Sequence, residues 1–327
     1  MNKLKVIALV QIFIIIVLLV LLVFHPFSTA DSIKESFYCN KYLYQPGMCL
    51  LSPSINSGIL DSKNYLILNF EPLKDTINTY IEKNNLDLSM YVLDLPSRAT
   101  FGINSNKTYF PASFNKLPIA ILILKKVEEG KLSLDTILSI KDSDRDPSSG
   151  SLYTTNKAQM SVRDLLYYML KESDNTAFNT LQEQLTVQDL DYISSYLNYD
   201  VNNISPKMAS NIFLSLYSST ILNPDDSQMI LSFLTNTSLD INYYANIPDN
   251  IIISHKYGLF YPKETDSNLT IFNDCGIIYN GKERILYCIM SEGITDENNA
   301  ISSVGVILNG IYNYVLEGQQ IKNIPVS

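Results

Sequence analysis

The stretch "YFPASFNKLPIAIL", residues 109–122, carries a serine, Ser113, and three residues later a lysine, Lys116, where an apolar helix begins. A serine before a helix is ordinarily an N-cap, and a lysine in a first turn is ordinarily a solvated charge. The continuation "PIAILILKK" is too apolar for that reading, because a helix of this composition is buried. A lysine entering a core needs a partner or a purpose. Residues three apart on a helix share a face, so the amine can reach the hydroxyl. Desolvation lowers a lysine's pKa, which equips it to take a proton at neutral pH.

Working outward, "EPLKDTINTYIEKNN" has Leu73, Ile77, Tyr80 and Ile81 on one helical face, and "LSMYVLDL" and "TFGINSNKTYF" read as a strand and its hairpin partner across Pro96-Ser97. The Ser113 helix stops near Gly130. Residues 131–249 read mainly as helices. "SVRDLLYYMLKES" starts with Ser161 as N-cap and Asp164 three residues on, and Pro206 marks a first helical position. "NIIISHKYGLF", "LTIFNDCGIIYN" and "RILYCIMSEG" are strand-like, and "ENNAISSVGVILNGIYNYVLEG" is a final amphipathic helix. This order predicts an α+β fold: one antiparallel sheet covered by the terminal helices, with an α lobe at about 113–249.

Two further motifs follow the Ser-x-x-Lys. Ser173-Asp174-Asn175 closes the helix "DLLYYMLKE", and Lys256-Tyr257-Gly258 lies in the run after "IIIS". The order SxxK, SDN, KxG resembles the penicillin-recognising serine enzymes, in particular the class A β-lactamase-like group, over roughly Leu73 to Gly318. "EEGKLSLDTILSI", "MSVRDLLYYMLKESDNTAFNTL" and "HKYG" followed by "NDCGIIY" share the resemblance. It implies a β-lactamase/transpeptidase-like fold with an antiparallel five-stranded sheet in a domain over 71–327. It also implies roles. Ser113 is the nucleophile that forms an acyl-enzyme, Lys116 takes its proton, and Ser173 relays a proton to the leaving nitrogen. Asn175 holds a substrate amide. Lys256 attracts the carboxylate of a β-lactam or of a D-Ala-D-Ala stem peptide of peptidoglycan. The backbone N–H groups of Ser113 and Leu259 form the oxyanion hole, and Gly258 keeps the strand edge clear for substrate. Asp174 fixes its loop. No cofactor is implied.

The departures bear on turnover. The family's Ω-loop glutamate, in E-x-x-L-N, activates the water that cleaves the acyl-enzyme. Here the helix after Asn175 runs through "YISSYL", and only "NYDVNN" separates it from "ISPKMAS". Asp200 is the one carboxylate in that gap, either a solvated loop residue or a substitute water activator. Tyr257 stands where the family has Thr or Ser, which puts carboxylate recognition in question. Acylation is expected and fast deacylation is not. Rival readings are an efficient β-lactamase with an unconventional base, an inactive tethered domain that binds cell-wall peptides, and an esterase or amidase using the same Ser-Lys pair.

The 327 residues carry a formal net charge of −9, which speaks against nucleic acid as a partner. The chain's two histidines, His25 and His255, leave no Ser-His-Asp triad, and there is no HExxH for zinc, so no metal is expected. His255 precedes Lys256 on the strand and points to the opposite face, as a packing or surface residue.

Val6 to Phe24 is uncharged and long enough to cross a hydrocarbon core of roughly 30 Å. With Lys3 and Lys5 ahead of it, this run within residues 1–30 predicts a single-pass membrane anchor with a cytoplasmic N-terminus and an external domain, or a cleaved signal peptide ending near Ala30. Residues 31–70 read as a spacer. Cys39 and Cys49 flank a loop and could bridge it. Cys275 and Cys288 flank the Asn280-Gly281 turn and would share a hairpin face, as a bridge or as two buried hydrophobes.

Overall fold

The computed structural model describes residues 49–52, 69–197, 199–261, 270–281, 283–294 and 296–316. Strand β1 (Asp87–Asp94) alternates as its sequence requires, with Leu88, Met90 and Val92 in one core and Tyr91 and Leu93 against the other. It pairs with β2 (Thr100–Ile103) on one side and with β7 (Glu283–Ile294) on the other. Beyond β7 lie β6 (Thr270–Asn280) and β5 (Ile252–Phe260), giving the antiparallel order β2-β1-β7-β6-β5. Strand β5 is therefore an edge of the sheet.

Helices α1 (Glu71–Lys83) and α9 (Glu297–Leu316) cover one face of the sheet, burying Leu73 and Ile77 from the first and Val304, Ile307, Leu308 and Ile311 from the second. On the other face sits the α lobe. It contains α2 (Lys116–Glu128), α3 (Val162–Lys171), α4 (Asn175–Gln182), α5 (Val187–Leu197), α6 (Pro206–Tyr217) and α7 (Pro224–Phe233), whereas the short α8 (Ile241–Ala245), within the span expected for the lobe, packs instead against α9 on the first face and buries Ile241 and Ala245 there. Ser161 caps α3 by accepting from the Asp164 N–H, and Pro206 opens α6 behind the Ser205 cap, as expected.

Two details differ from expectation. The helix after Asn175 is two helices, because Thr186 and Asp189 exchange hydrogen bonds in a reciprocal cap that starts α5 afresh. A short ladder of β3 (Ile137–Ser139) with β4 (Gln159–Ser161) stands within the lobe, and each strand is too short to show a period in the sequence. A disulfide joins Cys275 and Cys288, directly opposite each other on β6 and β7. Cys49 is disulfide-bonded as well, and the expected pairing with Cys39 involves a residue outside those described. The apolar run Val6–Phe24 and most of the spacer at 31–70 also lie outside them. Among the described residues no helix is long and apolar enough to cross a membrane.

Candidate active site

Ser113 does not occupy the ordinary N-cap position. It lies inside a 3₁₀ turn, Ala112–Asn115, that leads into α2, and Asn115 takes the cap position without a side-chain bond. In a 3₁₀ turn residues i and i+3 eclipse, so Ser113 and Lys116 are stacked by the backbone itself. Ala112 just before it adopts φ 49°, a left-handed conformation costing about 1–2 kcal/mol for a residue other than glycine. Phe114, Leu117 and the apolar run through Leu124 are buried and hold the strained turn in place.

Lys116 is only 3% exposed. Its Nζ lies 2.9 Å from Ser113 Oγ, 2.6 Å from the Ser173 carbonyl oxygen, 2.5 Å from Asn175 Oδ1 and 3.2 Å from Ser173 Oγ. Burial brings its pKa down to about 8, against the raising effect of the Asp174 and Asp146 charges. The partners serve both protonation states of the amine. Two of its hydrogens go to the carbonyl oxygen and to Oδ1, neither of which can donate. The ammonium gives its third hydrogen to Ser113 Oγ, and once that proton is lost the lone pair turns to the Ser113 hydroxyl.

Ser173 joins α3 to α4 in a left-handed conformation, φ 54°. That turn aims both its carbonyl and its hydroxyl at Lys116. Asp174 fixes the turn, as expected. Its carboxylate caps α4 by accepting from the Ala177 N–H and accepts from the Leu152 N–H, both at 2.8 Å. A loop over residues 142–155 lies against this segment so closely that a Cβ on Gly150, φ +88°, would sit 2.1 Å from Asp174 Oδ2. Asn175 donates through Nδ2 to Ser148 Oγ at 2.7 Å and to Asp146 Oδ2 at 3.4 Å.

Strand β5 brings the third motif. Lys256 is fully buried, and its Nζ donates to Ser173 Oγ at 3.0 Å and to the Tyr257 carbonyl at 2.7 Å. Burial, then the neighbouring Lys116 charge, push its pKa well below the usual lysine value, against the pull of Asp274. A Cβ on Gly258 would lie 2.5 Å from the Pro111 carbonyl and 3.2 Å from the Ser113 nitrogen. The glycine is thus required first by the approach of the strand to the nucleophile's turn, rather than only by room for substrate. The His255 N–H leaves the free edge of β5 to meet the Leu234 carbonyl. Backbone groups alternate along a strand, so the Leu259 N–H points out of that same edge. It and the Ser113 N–H, in the first turn where helical N–H groups lack partners, can share an oxyanion. Tyr257 departs from a Thr or Ser in its placement. Its ring packs on the sheet face that carries His255 and Asp274, with Lys256 Nζ 4.5 Å from the ring centroid. Burial, then the charges of Asp274, Glu172 and Glu297, raise the phenol's pKa, so it stays protonated.

Asp200, weighed as a water activator, and His255, expected as a packing or surface residue, both lie outside this cluster. Asp200 is exposed, and its oxygens accept from the Asn202 N–H and from Asn203 Nδ2, within its own loop. Of the two readings the sequence left open for Asp200, this geometry fits the solvated loop residue, because the carboxylate is committed to its own turn. His255 is 2% exposed, with Nδ1 2.8 Å from Asp274 Oδ1 and Nε2 2.7 Å from Thr237 Oγ1, while the Tyr287 hydroxyl donates to Asp274 Oδ2. Both ring nitrogens are spent inside the sheet packing. Sequence reasoning missed Asp146, Ser148 and Ser149. Their only signal is a polar run ahead of Gly150, which any surface loop shares.

Residues 72–315 match the β-lactamase enzyme family. A β-lactamase of Bacteroides uniformis is 25% identical over 229 residues, spanning 60% of this chain and 76% of the relative. Beta-lactamase VEB-1 of Pseudomonas aeruginosa is 21% identical over 271 residues, 73% of this chain and 89% of the relative. Among solved structures, the TLA-1 extended-spectrum β-lactamase superposes with a TM-score of 0.68 at 18% identity, covering 76% of this chain and 99% of that one. A point mutant of PBP-A, in an acyl-enzyme complex with penicillin G, superposes with a TM-score of 0.63 at 20% identity, covering 74% and 96%.

Proposed function

Because the chain belongs to the β-lactamase enzyme family, a family of serine hydrolases that act through an acyl-enzyme, we propose that Ser113 is acylated by β-lactams or by D-Ala-D-Ala-type peptides and that the acyl group leaves slowly. The observation that carries this reading is the Lys116 amine, buried, 2.9 Å from Ser113 Oγ and held by two pure acceptors, the Ser173 carbonyl and Asn175 Oδ1. As Ser113 Oγ attacks the acyl carbonyl, its proton passes to Lys116 Nζ. The new C–O bond puts negative charge on the carbonyl oxygen, which the Ser113 and Leu259 N–H groups receive. Collapse breaks the C–N bond, and the leaving nitrogen takes a proton from Ser173 Oγ, which is replaced by the proton that Lys116 Nζ, 3.2 Å away, took from Ser113, while Lys256 Nζ holds the same hydroxyl.

Slow release is supported by the segment between α5 and α6, which is too short for a catalytic loop and whose carboxylate, Asp200, serves its own turn. The proposed behaviour is that of a penicillin-binding peptidase. Mixing enzyme with nitrocefin tests it: one equivalent is released in a burst, followed by a slow steady state. Rapid multiple turnover overturns the slow-release part, and no burst at all overturns acylation.

The run Val6–Phe24, preceded by Lys3 and Lys5, supports a further part of the proposal, that the domain is held outside the cytoplasm on a membrane anchor. Protease added to intact cells should digest the domain, and protection of the domain contradicts that placement.

A further inference from the structure

The loop over residues 142–155 is bolted to the motif that carries Ser173. The Asn175 N–H donates to the Ser149 carbonyl at 3.0 Å, the Ser149 hydroxyl donates to the Ser173 carbonyl at 2.9 Å, and the Asp146 N–H donates to Thr176 Oγ1 at 3.1 Å. This frame presents Asp146 and Ser148 to the Asn175 side chain. Asp146 Oδ1 accepts from the Ser148 N–H at 2.8 Å and from the Ser148 hydroxyl. Ser148 Oγ and Asp146 Oδ2 in turn accept from Asn175 Nδ2.

A primary amide has one donor end and one acceptor end. With two acceptors facing Nδ2, the Asn175 amide cannot flip, so Oδ1 remains turned to Lys116 at 2.5 Å. That contact takes one of the amine's hydrogens and steers its lone pair to Ser113. A flipped amide would set N–H against N–H and release Lys116 from its orientation.

We propose that Asp146 is a positioning residue for the Ser113–Lys116 pair, acting through Ser148 and the side chain of Asn175. This rests on the reading of Ser113 as nucleophile. Asp146 has a second influence through its charge. Burial would raise its pKa, but hydrogen bonds from Ser148 and Asn175 and the Lys116 charge bring it below the usual carboxylate value, so it is an anion near the amine. The other groups facing Lys116 are Ser173, Asp174 and the Phe178 ring from the α4 segment and Lys256 from β5. Asp146 and Asp174 are thus the two carboxylates whose charges act on Lys116, and Asp174 is locked in its cap.

The experiment is the pH dependence of Ser113 acylation by a fluorescent penicillin in wild type, Asp146→Asn and Ser148→Ala. Asparagine removes the charge and keeps one oxygen for Ser148, whose Oγ remains the nearer acceptor for Asn175 Nδ2, so the acid limb moves down by about half to one pH unit. Ser148→Ala keeps the charge and loses an acceptor, so the limb stays and the plateau falls about tenfold. A limb that does not move in Asp146→Asn, one that moves equally in Ser148→Ala, or a Ser148→Ala plateau equal to that of wild type overturns the assignment. A wild type that never labels overturns the functional reading instead. In that event the Lys116 side-chain resonance, assigned by its loss in Lys116→Met and titrated by NMR in wild type and Asp146→Asn, tests the charge coupling without catalysis. A lower pKa in the variant supports it, and an equal one overturns it.

Discussion

The amines of Lys116 and Lys256 lie 3.2 and 3.0 Å from one oxygen, the hydroxyl of Ser173. They come from α2 and β5, so the sheet and the helical lobe meet at that atom. Two ammonium ions so close would repel strongly in a buried site, and the Lys116 charge accordingly lowers the pKa of Lys256. At most one of them carries a charge easily, which suits a hydroxyl that must pass a proton on.

Replacing Lys116 by methionine should abolish acylation, by about 10³-fold or more, without loss of fold. The side chain is 3% exposed and its pKa is brought down to about 8. Between that value and the unfolded lysine's, near 10.4, the unfolded state holds more protons than the native one, so wild-type stability rises with pH there. Relative to Lys116→Met, wild type should gain on the order of 3 kcal/mol at most across that window. Denaturant melts at pH 7.5 and 10.5 check this, and a flat difference contradicts it.

The same pKa sets a kinetic limb. Only the neutral amine takes the Ser113 proton, so the acylation rate should climb tenfold per pH unit below about 8 and level off above it. Stopped-flow labelling from pH 6 to pH 9.5 reads this directly. A rate already level at pH 6.5 contradicts it.

Gly258→Ala should cost about 10²-fold in acylation, because its Cβ would meet the Pro111 carbonyl at 2.5 Å and push β5 off the nucleophile's turn. Labelling rates of folded protein, with folding checked by circular dichroism, decide it. A rate within threefold of wild type shows that the strand and turn need no such approach.

His255→Ala should act on stability and not on chemistry. It leaves Asp274 buried with only Tyr287 as a hydrogen-bond partner from this network, at a cost of about 2–4 kcal/mol. Labelling per folded molecule at low temperature should stay within tenfold of wild type. A loss beyond 10³-fold in protein that melts normally would assign the histidine to the reaction.

The residues that could be read from the chain were those whose spacing is itself the chemistry. Ser113 and Lys116 are three apart because one turn must stack them, and Ser173, Asn175 and Lys256 sit in motifs whose order implied that they meet. Strands β5, β6 and β7 and helix α9 declared themselves by period, and the Cys275–Cys288 pair by its turn. What stayed hidden depends on contacts between distant segments. The function of Asp146 follows from a loop laid over Asn175, and the left-handed turns at Ala112 and Ser173 are imposed by packing rather than by residue type. Asp200 looked eligible because it was the carboxylate in the right gap. Its exposure and its bonds to Asn202 and Asn203 are properties of the folded loop.

Acylation at Ser113 followed by slow release is tested most directly by intact-mass spectrometry of the protein after brief exposure to penicillin G, with samples taken over hours and the adduct mapped by peptide digestion. The predicted result is one added penicilloyl mass on the peptide containing Ser113, absent in Ser113→Ala and Lys116→Met, and persisting for many minutes after free drug is removed. No adduct in the wild type, an adduct on any other residue, or one lost as fast as it forms would contradict it.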